Sequence, residues 1–132
     1  MARRIEKQPD RYPEEKLRLE PAGTTQFIDR PDGTRLRVIV AGQGPTVVLA
    51  HGVYSSVLQW NIVWDKLLAA GFRVVCFDHR GHAQSSVGTD GVSTRSMIGD
   101  YLAVLEHFDI QDGILVGHSM GGFLSIAAVL EQ

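Results

Sequence analysis

Cysteine is nearly absent from this 132-residue sequence; Cys76 is the single one, so no internal disulfide framework can hold the chain. A lone thiol fits a reducing compartment, and a cytoplasmic location is the expectation. Cys76 sits inside "FRVVCFD", which reads as a buried strand rather than a reactive site. Long apolar runs are missing too, and none approaches the ~20 residues of a membrane span. No apolar stretch follows the charged N-terminus, so no signal peptide is expected. Excess charge of one sign is absent: 13 Lys and Arg stand against 15 Asp and Glu, for a net charge of −2. The densest basic cluster, Arg3, Arg4, Lys7 and Arg11, is interrupted by acidic residues, which argues against a nucleic-acid partner. The five histidines show neither C-x-x-C nor H-E-x-x-H spacing, so no metal and no cofactor are expected.

What is present is a globular balance, with 44% hydrophobic and 21% charged residues, sized for one domain. Residues 1–22 are charged and hold Pro9, Pro13 and Pro21, and read as a flexible N-terminal tail. Residues 23–132 read as the folded part. "TTQFID" and "TRLRVIVAG" flank "RPDG", with Asp32-Gly33 at the tip of an expected hairpin. Leu36, Val38 and Val40 alternate with Arg35, Arg37 and Ile39, the period of a strand. "TVVLAHG", "FRVVCFD" and "DGILVG" are short continuous apolar runs, the pattern of strands covered on both faces.

Between these runs lie helical patterns. Trp60, Trp64, Leu67 and Leu68 recur at helical spacing, and Gly71 supplies a stop. A polar loop at 79–92 follows the second run. Ser93 or Thr94 can cap the next helix, whose apolar stripe is Ile98, Tyr101, Leu102, Leu105 and Phe108. "MGGFLSIAAVLEQ" begins a further helix. Strands alternating with helices predict an α/β fold: a hairpin, then parallel strands joined by right-handed crossover helices.

The chemistry concentrates at "ILVGHSMGGF". Gly117-His118-Ser119-Met120-Gly121 fits G-x-S-x-G between a strand and a helix, the context the motif requires. A tight strand-to-helix turn forces the serine backbone into a sparsely allowed conformation, and small neighbours keep it free of collisions. The hydroxyl then stands above the sheet edge, beside a helix N-terminus whose free N–H groups suit a developing oxyanion. A dinucleotide fingerprint would need glycine at 119, and no Gly-Lys-Ser/Thr loop occurs, which argues against nucleotide binding.

With "HG" at 51–52, "DHRGHAQS" at 78–85 and "GHSMGG" at 117–122 in this order, the sequence from about residue 23 resembles the α/β-hydrolase family, in its serine esterase and lipase-like branch. The resemblance implies Ser119 as nucleophile. It implies the backbone N–H groups of Met120 and Val53 as the oxyanion hole, and a small-molecule acyl substrate lying near Gly52 and His118. Serine at the elbow sets the chain apart from the family's haloalkane dehalogenase and epoxide hydrolase branches, which use a carboxylate nucleophile. Ala83 stands where the family often has glycine.

A serine hydroxyl needs a base, and the family order is Ser, then Asp or Glu, then His. Thirteen residues follow Ser119; they include Glu131 and no histidine. Glu131 falls about three helical turns from the elbow, too far to act. His79 and His82 leave the sheet at the right edge, but in the family's strand order another strand stands between them and the serine. His107 belongs at a helix C-terminal end, where the dipole favours it. Asp78 with Arg80 reads as loop structure. The expectation is therefore an N-terminal half of the fold, truncated after the elbow helix, with nucleophile and oxyanion hole but without the acid and the base. "GILVG" would then present an open sheet edge, inviting self-association or a complementary fragment. The competing expectation is a non-catalytic module that keeps the same fold for binding.

Overall fold

The computed structural model describes residues 20–132. The predicted tail, 1–22, lies largely outside the described residues. Its last three residues are tied to the fold. The Glu20 carboxylate accepts from Arg37 Nη1 at 2.7 Å, Pro21 is buried, and the Ala22 carbonyl accepts from Trp64 Nε1 at 3.1 Å.

Five strands form one sheet: β1 (Thr24–Asp29), β2 (Arg35–Ala41), β3 (Thr46–Ala50), β4 (Arg73–Phe77) and β5 (Ile114–Gly117). Their spatial order is β1-β2-β4-β3-β5. β1 and β2 form the predicted hairpin, closed by Arg30 N–H to the Thr34 carbonyl at 2.7 Å and by Gly33 N–H to the Arg30 carbonyl at 2.9 Å. β2 meets β4 antiparallel, while β3 lies parallel to both β4 and β5. β3 is thus flanked by a parallel strand on each side. The turns after β3, β4 and β5 all emerge at one edge, the carboxyl edge, where ligands sit in open α/β sheets.

Two helices make the crossovers, α1 (Asn61–Ala69) from β3 to β4 and α2 (Thr94–His107) from β4 to β5, and a third, α3 (Met120–Leu130), follows β5. A 3₁₀ turn, Val57–Trp60, precedes α1, so the helical spacing read from Trp60 spans two elements. Gly71 ends α1 as expected, its N–H returning to the Leu68 carbonyl. Ser93 caps α2 in a reciprocal box with Ser96, which satisfies two otherwise orphaned donors. Apolar residues on the two sheet faces build separate cores. Leu36, Val38, Val48, Val75 and Phe77 pack with α2 and α3, and Ile39, Val47, Leu49, Val74 and Cys76 pack with Trp60 and Trp64.

β2 is a strand, as its alternation predicts, and both of its faces are covered: Arg37 and Ile39 are as buried as Leu36 and Val38. Arg37 tolerates this because its guanidinium meets Asp78 at 3.3 Å and Glu20 at 2.7 Å. "DGILVG" reads as covered on both faces, yet Ile114 is 51% and Val116 38% exposed. β5 pairs only with β3 among the described residues, so one edge and much of its surface face outward. The adjoining face of α3 is also bare, with Phe123, Ile126, Val129 and Leu130 exposed.

Candidate functional site

Ser119 sits between β5 and α3 with φ 53° and ψ −118°. A non-glycine residue at positive φ is strained by ~1–3 kcal/mol, and such strain persists only where the surroundings hold it. The holding groups are visible. His118 N–H donates to the Ala50 carbonyl at 3.1 Å, which continues the β3–β5 ladder into the turn. The N–H groups of Gly122 and Phe123 converge on the Ser119 carbonyl at 2.9 and 3.1 Å. Gly121 packs its Cα against the Ala50 and His51 carbonyls, and any Cβ there would overlap them. Farther along α3, Ser125 Oγ donates to the Gly121 carbonyl at 2.7 Å and meets Tyr101 Oη on α2 at 3.0 Å.

The result is an exposed serine side chain that makes no hydrogen bond to any described residue. The N–H of Met120, first in α3, likewise has no acceptor among the described residues, nor does the N–H of Val53. Val53 follows His51 and Gly52 on the turn after β3; it is 52% exposed, and Tyr54 beside it is 95% exposed at φ 58°. This turn and the elbow touch. A Cβ on Gly52 would come within 2.7 Å of His118 Nδ1, so only glycine lets the two segments approach this closely. Gly52, Val53, His118, Ser119 and Met120, the residues singled out from the sequence, therefore gather on one patch at the carboxyl edge.

The other histidines do not join Ser119. His51 is fully buried. Its Nε2 accepts the His79 N–H at 3.0 Å, which leaves the proton on Nδ1 to bond the Gly52 carbonyl at 2.6 Å. The His79 ring returns the contact, Nε2 to the His51 carbonyl at 2.9 Å. Burial, and then the neighbouring His51, press the His79 pKa down to about 3; burial lowers that of His51. Both rings are neutral at pH 7. His82 spends Nδ1 on the Arg80 carbonyl at 3.0 Å. His107 lies at the end of α2 against Gln26 Oε1, at 2.9 Å. Glu131 caps the far end of α3.

The acidic residues near this edge are structural. Asp78 accepts the Val57 N–H at 2.9 Å and the Gln84 N–H at 3.2 Å, and so fixes the 3₁₀ turn and its own loop. Arg80 is buried and bidentate to Asp100 at 2.6 and 2.7 Å, with a third bond to Asp32 at 2.9 Å. The polar loop at 79–92 is thus solvated only in part. Ala83 lies at φ 45°, a left-handed conformation that suits glycine. Among the described residues, no group of three His, Cys, Asp or Glu could hold a metal ion, and no helix is long and apolar enough to cross a membrane. The interlock of His51 with His79 escapes sequence reasoning, because it depends on β3 and β4 being neighbours in register. The signal that could have found it is a histidine just past the end of each strand.

Comparison with known proteins bears on this patch. A family model described as the alpha/beta hydrolase fold matches residues 45–132. Epoxide hydrolase B of Mycobacterium tuberculosis is 34% identical over 95 residues, covering 67% of this chain and 27% of that protein. A bifunctional esterase/perhydrolase of Acinetobacter calcoaceticus is 37% identical over 78 residues, covering 59% of this chain and 28% of the relative. Among solved structures, one described under carboxylesterases of the thaumarchaeon Nitrososphaera gargenis superposes with a TM-score of 0.78 at 28% identity, over 81% of this chain and 41% of that one. The chain spans about a quarter to two-fifths of the length of these proteins.

Proposed function

The chain belongs to the alpha/beta hydrolase fold family, and from that premise we propose that it carries the nucleophile and oxyanion hole of a serine hydrolase acting on carboxylic esters or related acyl substrates. One observation carries the reading. Ser119 is held at φ 53° with its side chain exposed and unbonded, next to a helix N-terminus whose first N–H is free. Fold stability gains nothing from such strain, whereas acyl transfer needs that geometry.

In this reading Ser119 Oγ attacks the acyl carbonyl, and the new C–O bond pushes an electron pair onto the carbonyl oxygen. The N–H groups of Met120 and Val53 receive that oxyanion. The leaving alkoxide takes a proton as the tetrahedral species collapses to the acyl-enzyme, and water then releases the acid. Gly52 and His118 border the substrate. No imidazole among the described residues bonds Ser119, so the base, and the carboxylate that orients it, come from outside the described residues or from a partner chain. Epoxide-hydrolase relatives notwithstanding, the serine favours acyl chemistry. An epoxide opened by a serine would leave an ether that water does not readily cleave, whereas an acyl-serine hydrolyses.

The test is reaction of p-nitrophenyl acetate with the folded chain and with Ser119→Ala, read by peptide mass spectrometry. The reading expects an acetyl group on Ser119, released p-nitrophenol as its counterpart, and no such adduct in the variant. Slow turnover alone does not decide it, because serine hydrolases stripped of a triad member keep a residual acceleration of ~10³–10⁴ over water, supplied by the oxyanion hole and substrate binding without the serine. A folded chain that releases p-nitrophenol with no acetyl group on Ser119 sinks the reading. A folded chain with no turnover favours the second reading, a non-catalytic module of the same fold, which the unaccompanied serine supports. The open β5 edge with Ile114 and Val116, and the bare face of α3, support self-association or a complementary fragment there. Sedimentation shows whether the chain stays monomeric. A cytoplasmic setting, a small-molecule substrate and chemistry without a cofactor complete the proposal.

A further inference from the structure

Three imidazoles crowd the region beneath the turn after β3. Ring centroids of His51 and His79 lie 4.3 Å apart, and His82 stands 5.3 Å from the first and 6.1 Å from the second. The acyl-transfer scheme uses none of them as a base. Their bonds nevertheless lead to one of its groups.

The Gly52 carbonyl and the Val53 N–H belong to the same peptide unit. A trans peptide is planar, so its C=O and N–H point in opposite directions, and fixing one fixes the other. The Gly52 carbonyl receives two donors, His51 Nδ1 at 2.6 Å and the Ser55 N–H at 3.2 Å. Both hold the plane, and bonds accepted by the oxygen polarise the N–H on the other side. His51 can donate from Nδ1 only while its proton stays there. The His79 N–H, 3.0 Å from His51 Nε2, excludes a proton from that nitrogen. His79 then closes the loop, its ring Nε2–H donating to the His51 carbonyl at 2.9 Å.

We propose that His51 and His79 form a reciprocal clasp in which the His79 main-chain N–H locks the tautomer of His51, the His79 ring holds the His51 carbonyl, and the two together set the direction and donor strength of the Val53 N–H. His79 is thus a positioning residue for the oxyanion hole, acting through His51 and the 52–53 peptide without touching substrate. The clasp rests on the acyl-transfer reading for its purpose, and on the hydrogen bonds alone for its existence. It also explains why two histidines are fully buried at the edge that carries the site. Through this contact the DHRGHAQS loop reaches the turn that carries the Val53 N–H.

Nitrogen-15 NMR of the full chain at neutral pH tests it. The His51 ring is expected to show a protonated Nδ1 and a bare Nε2. His79→Leu, which removes the ring donor to the His51 carbonyl and keeps the His79 N–H, is expected to move the Val53 amide resonance while the His51 proton stays on Nδ1. His79→Gln keeps a side-chain donor and is expected to return the amide toward its original position. The maximal rate of Ser119 phosphonylation by a fluorophosphonate should fall about 10-fold or more in the leucine variant with the half-saturating concentration unchanged, a smaller effect than removing a donor outright. The glutamine variant should recover it. A wild-type His51 protonated at Nε2 overturns the clasp, whether or not the leucine variant folds. So does a folded His79→Leu chain with an unmoved Val53 amide. The expected tautomer and amide responses in a chain whose Ser119 never reacts would support the clasp and sink the acyl-transfer reading alone.

Discussion

The loop after β4 and the turn after β5 leave the sheet at the same edge, yet they treat their polar groups in opposite ways. In the first, Asp78, His79, Arg80 and Ser85 are all buried and all bonded to other segments. In the second, Ser119 is exposed and its hydroxyl meets nothing among the described residues. Both loops also hold a non-glycine residue at positive φ, Ala83 in one and Ser119 in the other. Polar residues alone therefore do not mark a site. A site is marked where polar capacity and backbone strain are retained without any return in stability.

That contrast is broken most forcefully in the first loop. Arg80→Ala removes both of its bonds to the buried Asp100 carboxylate, leaving it Arg30 Nε at 3.1 Å, and should cost ~3 kcal/mol in urea unfolding. Phosphonate labelling at Ser119 should then fall only with the folded fraction. A loss of labelling in a chain still folded would show that the loop serves the site directly.

Acid separates the two regions next. The His79 pKa is held at about 3 in the folded chain, against an ordinary value of 6.5, because burial opposes the charged ring. A depressed pKa means that the unfolded chain binds the proton first. The stability contribution is complete above pH 6.5 and drains away as pH falls toward 3, by about 1.4 kcal/mol per pH unit for this one group. His51, also depressed, adds in the same direction, while Asp78 beside it works the other way. Thermal melts across pH 7 to 4 should show this slope, and His79→Gln should flatten it. A melt insensitive to pH in that window contradicts the burial of a neutral ring.

Smaller effects sharpen the comparison of the two strained residues. Ser119→Gly should stabilise by ~1 kcal/mol, since glycine accepts positive φ without a Cβ clash; unchanged or lowered stability would place the strain elsewhere. Ala83→Gly should gain less, up to ~0.5 kcal/mol: the added freedom of the unfolded chain offsets both substitutions, and Ser119, at ψ −118°, lies outside the left-handed helical region and carries the larger strain. Equal gains at both positions would remove the distinction between a functional and an incidental strain.

Local patterns carried much of this into the sequence. The hairpin, the Ser93 cap, the Gly71 stop and the strand–serine–helix turn depend on residues close together in the chain, and they appear where the pattern puts them. Failures came where distant segments decide. The burial of Arg37 is not legible locally, because its partners Asp78 and Glu20 come from elsewhere in the chain. "ILVG" reads as enclosed because apolar composition reports a preference for burial, while actual cover depends on what packs beside β5. The His51–His79 interlock requires β3 and β4 to pair with Ala50 opposite Phe77, which no local signal encodes.

The central claim is that Ser119 differs in kind from the chain's other exposed serines, and peptide-mapped labelling tests it most directly. The folded chain is treated with a fluorophosphonate, digested, and every modified serine quantified by mass spectrometry. The account predicts label at Ser119 at least about 10-fold above Ser86 or Ser93, a conservative share of what free oxyanion donors contribute. Label spread evenly over the exposed serines, or absent from Ser119 while it appears elsewhere, would contradict it.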